Sequence, residues 1–307
     1  MVFRWLIGVC IFIGFVIWIE IQFGWMELLN TWRYLSAGKV LVALCLFFAS
    51  YTIRAVRIFD YFFTRMAGRF TVCLRLVLYH TFFNNMLPMR SGELAFPVLM
   101  GRYFSVSPAE SLPALLWLRF MDFHFLLLIG SMALWWKIII SPAVLPVYLG
   151  VLAFPVLFFI LRKKASNWAE SKETRFYRFA ARLIHGIPDK TGGFWRTWRG
   201  TVLNWSVKLC VFAWLLKQFV DVPFTHALLG SLMGEMSSVL PVHGFAGAGT
   251  YEGGIMMALI PLGVSLENAV QAAVNVHVFL LFATILCAGT GFLLGLSSFD
   301  KTKPDHV

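Results

Sequence analysis

Long uninterrupted apolar stretches constrain this sequence more than any other feature. About 20 residues of α-helix, rising 1.5 Å each, cross the ~30 Å hydrocarbon core of a bilayer. Of the 307 residues, 59% are hydrophobic and 13% are charged, and a water-soluble fold lacks the interior to bury so much apolar surface. We therefore predict an all-α polytopic membrane protein with a single transmembrane domain over 1–307. The predicted full spans lie at roughly 5–23, 38–59, 107–135, 143–161, 201–219 and 266–296.

Two further apolar regions, 70–104 and 224–263, are interrupted by proline and glycine. Proline lacks the backbone N–H and glycine loosens the chain, so a helix ends at each interruption. The helical pieces that follow the interruptions are too short to cross a bilayer, and we expect two broken re-entrant hairpins. These short pieces are predicted at about 93–104 and 252–262.

The positive charge predicts the orientation in the membrane. The chain has 26 Lys and Arg against 15 Asp and Glu, a net charge of +11, and basic residues concentrate in cytoplasmic loops. The 162–200 loop is strongly basic, so we predict that it lies in the cytoplasm with both termini. The hairpins then enter from opposite faces, giving an inverted repeat with halves at about 38–135 and 201–297. We expect the plasma (inner) membrane as the location.

Several classes of function are disfavoured by the sequence. The 162–200 loop interleaves aromatic with basic residues, but such a juxtamembrane segment typically lies on anionic lipid, so we expect no nucleic-acid partner. No GxSxG, HExxH or P-loop motif is present, and we expect no cofactor and no ATP-driven activity. The cysteines form no CxxC pair, so a disulfide frame or metal site is not expected. They are Cys10, Cys45, Cys73, Cys210 and Cys287.

Ionisable residues at the two breaks are candidate lipid-binding residues. Glu93 and Glu252 begin the short helices, where free N–H groups favour an anion. They either only cap these helices or also titrate or pair with a base in a central cavity. Arg90 in the first break and His243 in the second would suit a phosphate beside two helix N-termini. The alternative for Arg90 is an ion pair with Glu93 that only holds the loop.

Polar residues just before the first break form a second candidate group. Asn84 and Asn85 precede the break and either satisfy backbone groups that the break leaves free or contact a lipid head group. We favour the backbone role.

Charged residues inside the predicted spans form a third group. Arg119 and Asp122 are three residues apart within 107–135, a spacing that lets them form a buried ion pair. Arg54 and Arg57 lie near the predicted cytoplasmic boundary, where we expect their side chains to reach the interface.

These residues carry a resemblance to a known family. Asn85 to Glu93, Arg119 to Asp122 and Gly247 to Gly253 resemble the motifs of the lysylphosphatidylglycerol synthase transmembrane-region family, also called the flippase-like domain family. The resemblance covers about 5–297 and is to stand-alone members without the synthase domain. In other members a related membrane domain flips aminoacylated phosphatidylglycerol. The sequence departs from the family pattern at Tyr251 and His277.

The resemblance and the residues together predict a lipid transporter. It would bind an anionic lipid (a phospholipid, an aminoacylated lipid or a polyprenyl-phosphate carrier) in a cavity between the hairpins and move it between leaflets. Arg90 and Arg119 would hold the phosphate, and Asp122 would position Arg119. The predicted lipid-binding residues are Asn84, Asn85, Arg90, Glu93, Arg119, Asp122, His243, Gly249 and Glu252.

Two alternatives stay open. One is a membrane-embedded lipid-modifying transferase or hydrolase that uses Glu93 or Glu252 as a base near His80 or His243. The other is a non-transporting partner of a separate lipid-modifying enzyme. The sequence leaves the oligomeric state open.

Overall fold

The computed structural model describes residues 2–138, 144–172, 174, 177, 181, 183, 184, 186–188, 190–238 and 244–299. These residues form α-helices joined by short turns and 3₁₀ helices, which confirms the predicted all-α fold. The α-helices in chain order are α1 (Val2–Gln22), α2 (Trp25–Asn30), α3 (Ala37–Tyr61), α4 (Phe63–Met66), α5 (Phe70–Met86), α6 (Ala95–Phe104), α7 (Pro108–Ile138), α8 (Val144–Glu170), α9 (Thr191–Leu216), α10 (Phe224–Ser237), α11 (Thr250–Leu259) and α12 (Leu266–Phe299).

Each of the six predicted spans is a helix, and the chain is a polytopic membrane protein. Within the described residues, α3, α7 and α12 are long and apolar enough to cross a membrane. A fourth candidate is α1 together with the helical residues Trp25–Tyr34, which bend away from it by 81°. The bend falls at Gly24, whose positive φ of 73° suits a residue without a Cβ. The ends of α8 and α9 extend into the basic loop predicted at 162–200.

Both predicted short helices are present. In the first interrupted region, the 3₁₀ helix Pro88–Leu94 joins α5 to α6. In the second, the 3₁₀ helix Phe245–Gly247 precedes α11, and the 3₁₀ helix Ile260–Leu262 follows it. The 3₁₀ helix Pro88–Leu94 contacts both α1 and the 3₁₀ helix Phe245–Gly247. The segments at which the two helices are interrupted therefore contact each other.

A glycine allows close packing within each interrupted region. A Cβ on Gly92 would lie 2.3 Å from the carbonyl carbon of Phe83 on α5. A Cβ on Gly254 of α11 would lie 2.5 Å from the carbonyl oxygen of Met233 on α10. No side chain fits at such separations, so the 3₁₀ helix Pro88–Leu94 packs with its backbone against α5, and α11 packs with its backbone against α10.

The turns after the two short helices also share their geometry. Ser105 and Gly263 both adopt positive φ, 54° and 90° respectively. In each turn the next residue donates its N–H back to the short helix, Val106 to Met100 and Val264 to Leu259, both at 3.3 Å. The sequence places this Val-Ser turn identically in the two predicted halves, and the division of the chain into inverted halves stays a prediction.

The chain forms two compact units. The first comprises the described residues up to Thr52, Thr71–Ala95 and those from Ser206 onward. Its core includes Phe47, Tyr51, Phe212 and Phe279. The same unit contains both helix interruptions. The second comprises Ile53–Phe70 and the described residues of Phe96–Trp205, with a core around Trp117, Met121, Phe159 and Phe194.

The glycine contact in the second hairpin gives a matched pair of substitutions. Gly254→Ala places a methyl group against the backbone of α10 and should destabilise the protein by about 1–3 kcal/mol through overpacking. Gly253→Ala is the control, because a Cβ there meets nothing within 4 Å and alanine favours the helix by up to about 1 kcal/mol. Thermal unfolding of the purified protein in detergent should show a lower midpoint for the first variant alone. Equal midpoints would contradict this packing.

Candidate functional site

A buried cluster of charged side chains occupies the second unit. Arg57 of α3 and Asp122 of α7 form a bidentate ion pair, with Nη1 to Oδ1 at 2.5 Å and Nη2 to Oδ2 at 3.2 Å. Arg119 donates to the same carboxylate, from Nη1 to Oδ2 at 3.2 Å. Two guanidinium groups therefore converge on one carboxylate, and the Arg119–Asp122 pair predicted from sequence is present.

Residues of α9 complete the surroundings of Asp122. The indole N–H of Trp205 donates to Oδ1 at 3.0 Å, and Arg57 Nη1 donates to the Thr201 hydroxyl at 2.6 Å. A Cβ on Gly200 would lie 3.1–3.2 Å from the methylene carbons of Arg57. The glycine thus lets the arginine stem lie directly against α9, which aims the guanidinium at Asp122.

The arginines of α3 differ from the sequence-based expectation. We expected Arg54 and Arg57 to reach the membrane interface, but their exposed fractions are 7% and 5%. Arg57 is fixed on Asp122, and Arg54, one turn earlier on the helix, acts electrostatically on the same carboxylate. The interface prediction failed because Asp122 offers a counter-charge inside the protein, and the ion pair offsets part of the cost of burying the guanidinium.

Arg119 is the more accessible of the two arginines bonded to Asp122. Its side chain is 20% exposed, compared with 2% for the side chain of Arg57. The three side chains of Arg57, Arg119 and Asp122 sum to one positive charge. The cluster therefore presents a cationic group, held in place by a buried carboxylate, to whatever reaches Arg119.

In the first unit, the glutamate of each break contacts a histidine. Glu93 lies 3.3 Å from Nε2 of His80 on α5, and the Glu93 side chain is 20% exposed. Glu252 lies 2.7 Å from Nδ1 of His277 on α12, and both side chains are buried. Pairing of these carboxylates with a base was one of the two roles expected from the sequence. Arg90 was the expected ion-pair partner of Glu93, and His80 or His243 was placed near Glu93 or Glu252 only in the alternative of a lipid-modifying enzyme.

Glu252 also caps its helix, as predicted. Its Oε2 accepts the N–H of Gly249 at 2.9 Å, which satisfies a backbone donor at the start of α11. Gly249 has a positive φ of 80°, and a Cβ there would press on Ile11 and Phe15 of α1. Capping and pairing with a base thus occur together at this carboxylate.

The remaining predicted lipid-binding residues do not share one environment. Asn85 donates from Nδ2 to the Thr284 hydroxyl at 2.9 Å, so its amide contacts a side chain of α12. The buried side-chain oxygen of Asn84 has no hydrogen-bond partner among the described residues. Arg90 belongs to the 3₁₀ helix Pro88–Leu94, but its side chain, like the whole of His243, lies outside the described part of the chain.

The predicted residues thus divide between the two units. Asn84, Asn85, Glu93, Gly249 and Glu252 lie in the first, while Arg119 and Asp122 lie in the second.

A second buried ion pair was not predicted from the sequence. Lys208 of α9 and Glu235 of α10 are 2.7 Å apart, and both side chains are buried in the first unit. Each is an isolated charge in an apolar run, which is the signal that marks functional or paired residues at membrane depth. Arg57 and Asp122 are likewise charged residues within apolar segments, but the sequence does not show which oppositely charged residues are in contact.

The fold and these sites define a polytopic membrane protein with two broken hairpins and paired charges inside its helices. The family described as "Lysylphosphatidylglycerol synthase TM region" matches residues 5–288. The chain belongs to that family, as its three motifs indicated. Comparisons with curated proteins and with solved structures gave no match.

Arg57 provides a test of the buried cluster. Arg57→Ala leaves Asp122 without its bidentate partner and should destabilise the protein by about 3–5 kcal/mol. The control is Arg65→Ala, because Arg65 and Glu110 form an exposed pair at 3.5 Å of a kind that contributes at most about 1 kcal/mol. Chemical denaturation in detergent micelles compares the free energies of unfolding. Similar losses for both variants would show that Asp122 is not held by Arg57.

Proposed function

We propose that this protein binds a lipid through its phosphate head group at Arg57, Arg119 and Asp122 and moves that lipid between the leaflets of the inner membrane. The observation that carries the proposal is the convergence of two guanidinium groups on one carboxylate inside helices of a membrane protein. Membership of the lysylphosphatidylglycerol synthase membrane-region family supports a lipid as the ligand.

The chemistry of the cluster favours phosphate. A guanidinium presents several N–H donors in a plane and binds phosphate or carboxylate oxygens by two parallel hydrogen bonds. Arg57 already uses that mode on Asp122, whereas Arg119 gives Asp122 a contact from Nη1. In this proposal Arg57 fixes the carboxylate, the carboxylate orients Arg119, and Arg119 meets the lipid phosphate.

The two broken hairpins favour transport over simple binding. Non-helical backbone survives at membrane depth only where protein or a water-filled cavity surrounds it. Paired broken helices in two halves of a chain are typical of transporters, whose substrate sites lie near the bilayer midplane. The contact between the 3₁₀ helices of the two breaks provides such a protein-enclosed region in the first unit.

The proposed orientation follows from the basic segments. Both termini and the 162–200 loop lie in the cytoplasm in this proposal. The substrate is a phospholipid, an aminoacylated lipid or a polyprenyl-phosphate carrier, since all three present a phosphate beside an apolar chain. A separate lipid-modifying enzyme would supply the aminoacylated form.

Transport is tested in proteoliposomes loaded with labelled anionic phospholipid. The wild type should move label between leaflets without changing lipid mass. Arg119→Ala removes a charge-assisted contact of about 1.5–3 kcal/mol and should slow movement by about tenfold to a hundredfold. Arg119→Lys keeps the charge but loses the fork of donors, and an intermediate rate is expected.

The control for this experiment is Arg102→Ala, which removes an exposed arginine at the end of α6 and should leave the rate unchanged. Equal rates for Arg119→Ala and the wild type would overturn the assignment of the phosphate site. A change in lipid mass would instead establish the transferase or hydrolase alternative.

A further inference from the structure

The Glu252–His277 pair must hold a proton, and hydrogen-bond geometry alone requires it. His277 Nε2 lies 2.9 Å from the carbonyl oxygen of Ala246. A carbonyl can only accept, so Nε2 carries a hydrogen. Nδ1 of the same ring lies 2.7 Å from Oε1 of Glu252, and two lone pairs cannot face each other at that distance. The second proton therefore lies between Nδ1 and Oε1, on one atom or the other.

The contacts of this pair fix the loop that precedes α11. The carboxylate binds the N–H of Gly249, and the imidazole binds the carbonyl of Ala246. Ala246 has a φ of 54°, a left-handed conformation that disfavours a residue with a Cβ and stores strain. The hydrogen bond from the His277 imidazole thus holds the loop before α11 to α12. The left-handed backbone at Ala246 favours release of that loop once the hydrogen bond is lost.

The surroundings of the pair are electrically balanced when one proton is shared. The Tyr251 ring lies against His277 with centroids 4.7 Å apart and the ring planes tilted by 30°, and the Lys208–Glu235 ion pair is neutral as a unit. Glu27 of α2 and Glu267 of α12 are exposed, and α1 meets Gly249 with apolar residues. Among the described residues, the packed elements also carry Tyr251, Glu235, Lys208, Tyr51, Glu93 with His80, and Arg75, which meets α12 at the distant Gly295. They carry in addition the exposed Glu20 of α1 and the half-buried His226 of α10.

We propose that Glu252 and His277 form a proton-binding site that couples proton release to opening of the second hairpin. Loss of the shared proton leaves two acceptors facing each other and a buried negative charge, so the carboxylate and the imidazole separate. The loop 244–249 then detaches from α12, and the proton passes to water. Rebinding of a proton restores both hydrogen bonds.

The proton bound at this site would then be the ion whose uptake and release are coupled to lipid movement. This part rests on the proposed function, because a proton whose uptake moves one hairpin drives lipid movement only if the protein moves lipid. The pair differs from that of Glu93 and His80, which is longer and partly exposed.

Hydrogen exchange measures the proposed opening directly. If opening releases one proton, the opening constant rises by about tenfold per pH unit over the range in which the closed pair holds the proton and the opened pair has lost it. We therefore expect the protection of amides at 250–259, corrected for intrinsic exchange, to fall with slope −1 on a logarithmic scale between about pH 7 and 9. A slope of zero in the wild type would overturn the proposal by itself.

Glu252→Gln is the decisive variant. The glutamine amide can donate to His277 Nδ1 and its oxygen can accept from Gly249, so every hydrogen bond is kept without a titrating proton. Its slope should be zero. Glu267→Gln makes the same change at an exposed carboxylate of α12 and should keep the wild-type slope. An unchanged slope in Glu252→Gln would also overturn the proposal.

Transport under an imposed pH gradient tests the coupling. The ratio of lipid movement with and without the gradient should exceed one in the wild type and equal one in Glu252→Gln. A ratio above one in the variant would contradict coupling through this pair. Absence of lipid movement in every sample, with the exchange slopes as predicted, would overturn the proposed function and leave the proton site standing.

Discussion

A charge buried inside a membrane protein needs a counter-charge, and the arrangement of this molecule depends on that requirement. An isolated ion at membrane depth is costly. Buried charged groups of the described helices accordingly meet partners, among them Arg57 with Asp122 and Lys208 with Glu235, while the glutamate at each break, Glu93 or Glu252, meets a histidine. The Lys208–Glu235 pair ties α9 to α10, and the Arg57–Asp122 pair ties α3 to α7. The ion pairs therefore also fix which helices are neighbours.

The backbone imposes the second requirement. Broken helices leave N–H and C=O groups free, and in a membrane these must be satisfied by the protein. Glu252 does so at Gly249, and His277 does so at Ala246. Gly92 then allows the 3₁₀ helix Pro88–Leu94 to pack against the backbone of α5, and Gly254 allows α11 to pack against the backbone of α10. The same side chains thus serve as structural caps and as ionisable groups, which is why capping and chemistry coincide at the second break.

The sequence predicted the helices well and the contacts only in part. Apolar runs and helix-breaking residues report local properties, so the six long helices and both short helices follow from them. The Arg119–Asp122 pair was predictable because its three-residue spacing places both groups on one helix face. Arg57 was missed as a partner because it is 65 residues from Asp122, and its place near a predicted boundary favoured the interface. Likewise, only the folded chain shows that His277, a departure from the family pattern, meets Glu252.

The proposed role of the cationic cluster on α3 and α7 is to hold a lipid phosphate. Mass spectrometry of the lipids that co-purify with the protein tests this role. A lipid with a phosphate head group should be enriched over its share of the host membrane in the wild type and should fall to that share in Arg119→Ala. A bound lipid without phosphate, or equal enrichment in the wild type and the variant, would contradict it.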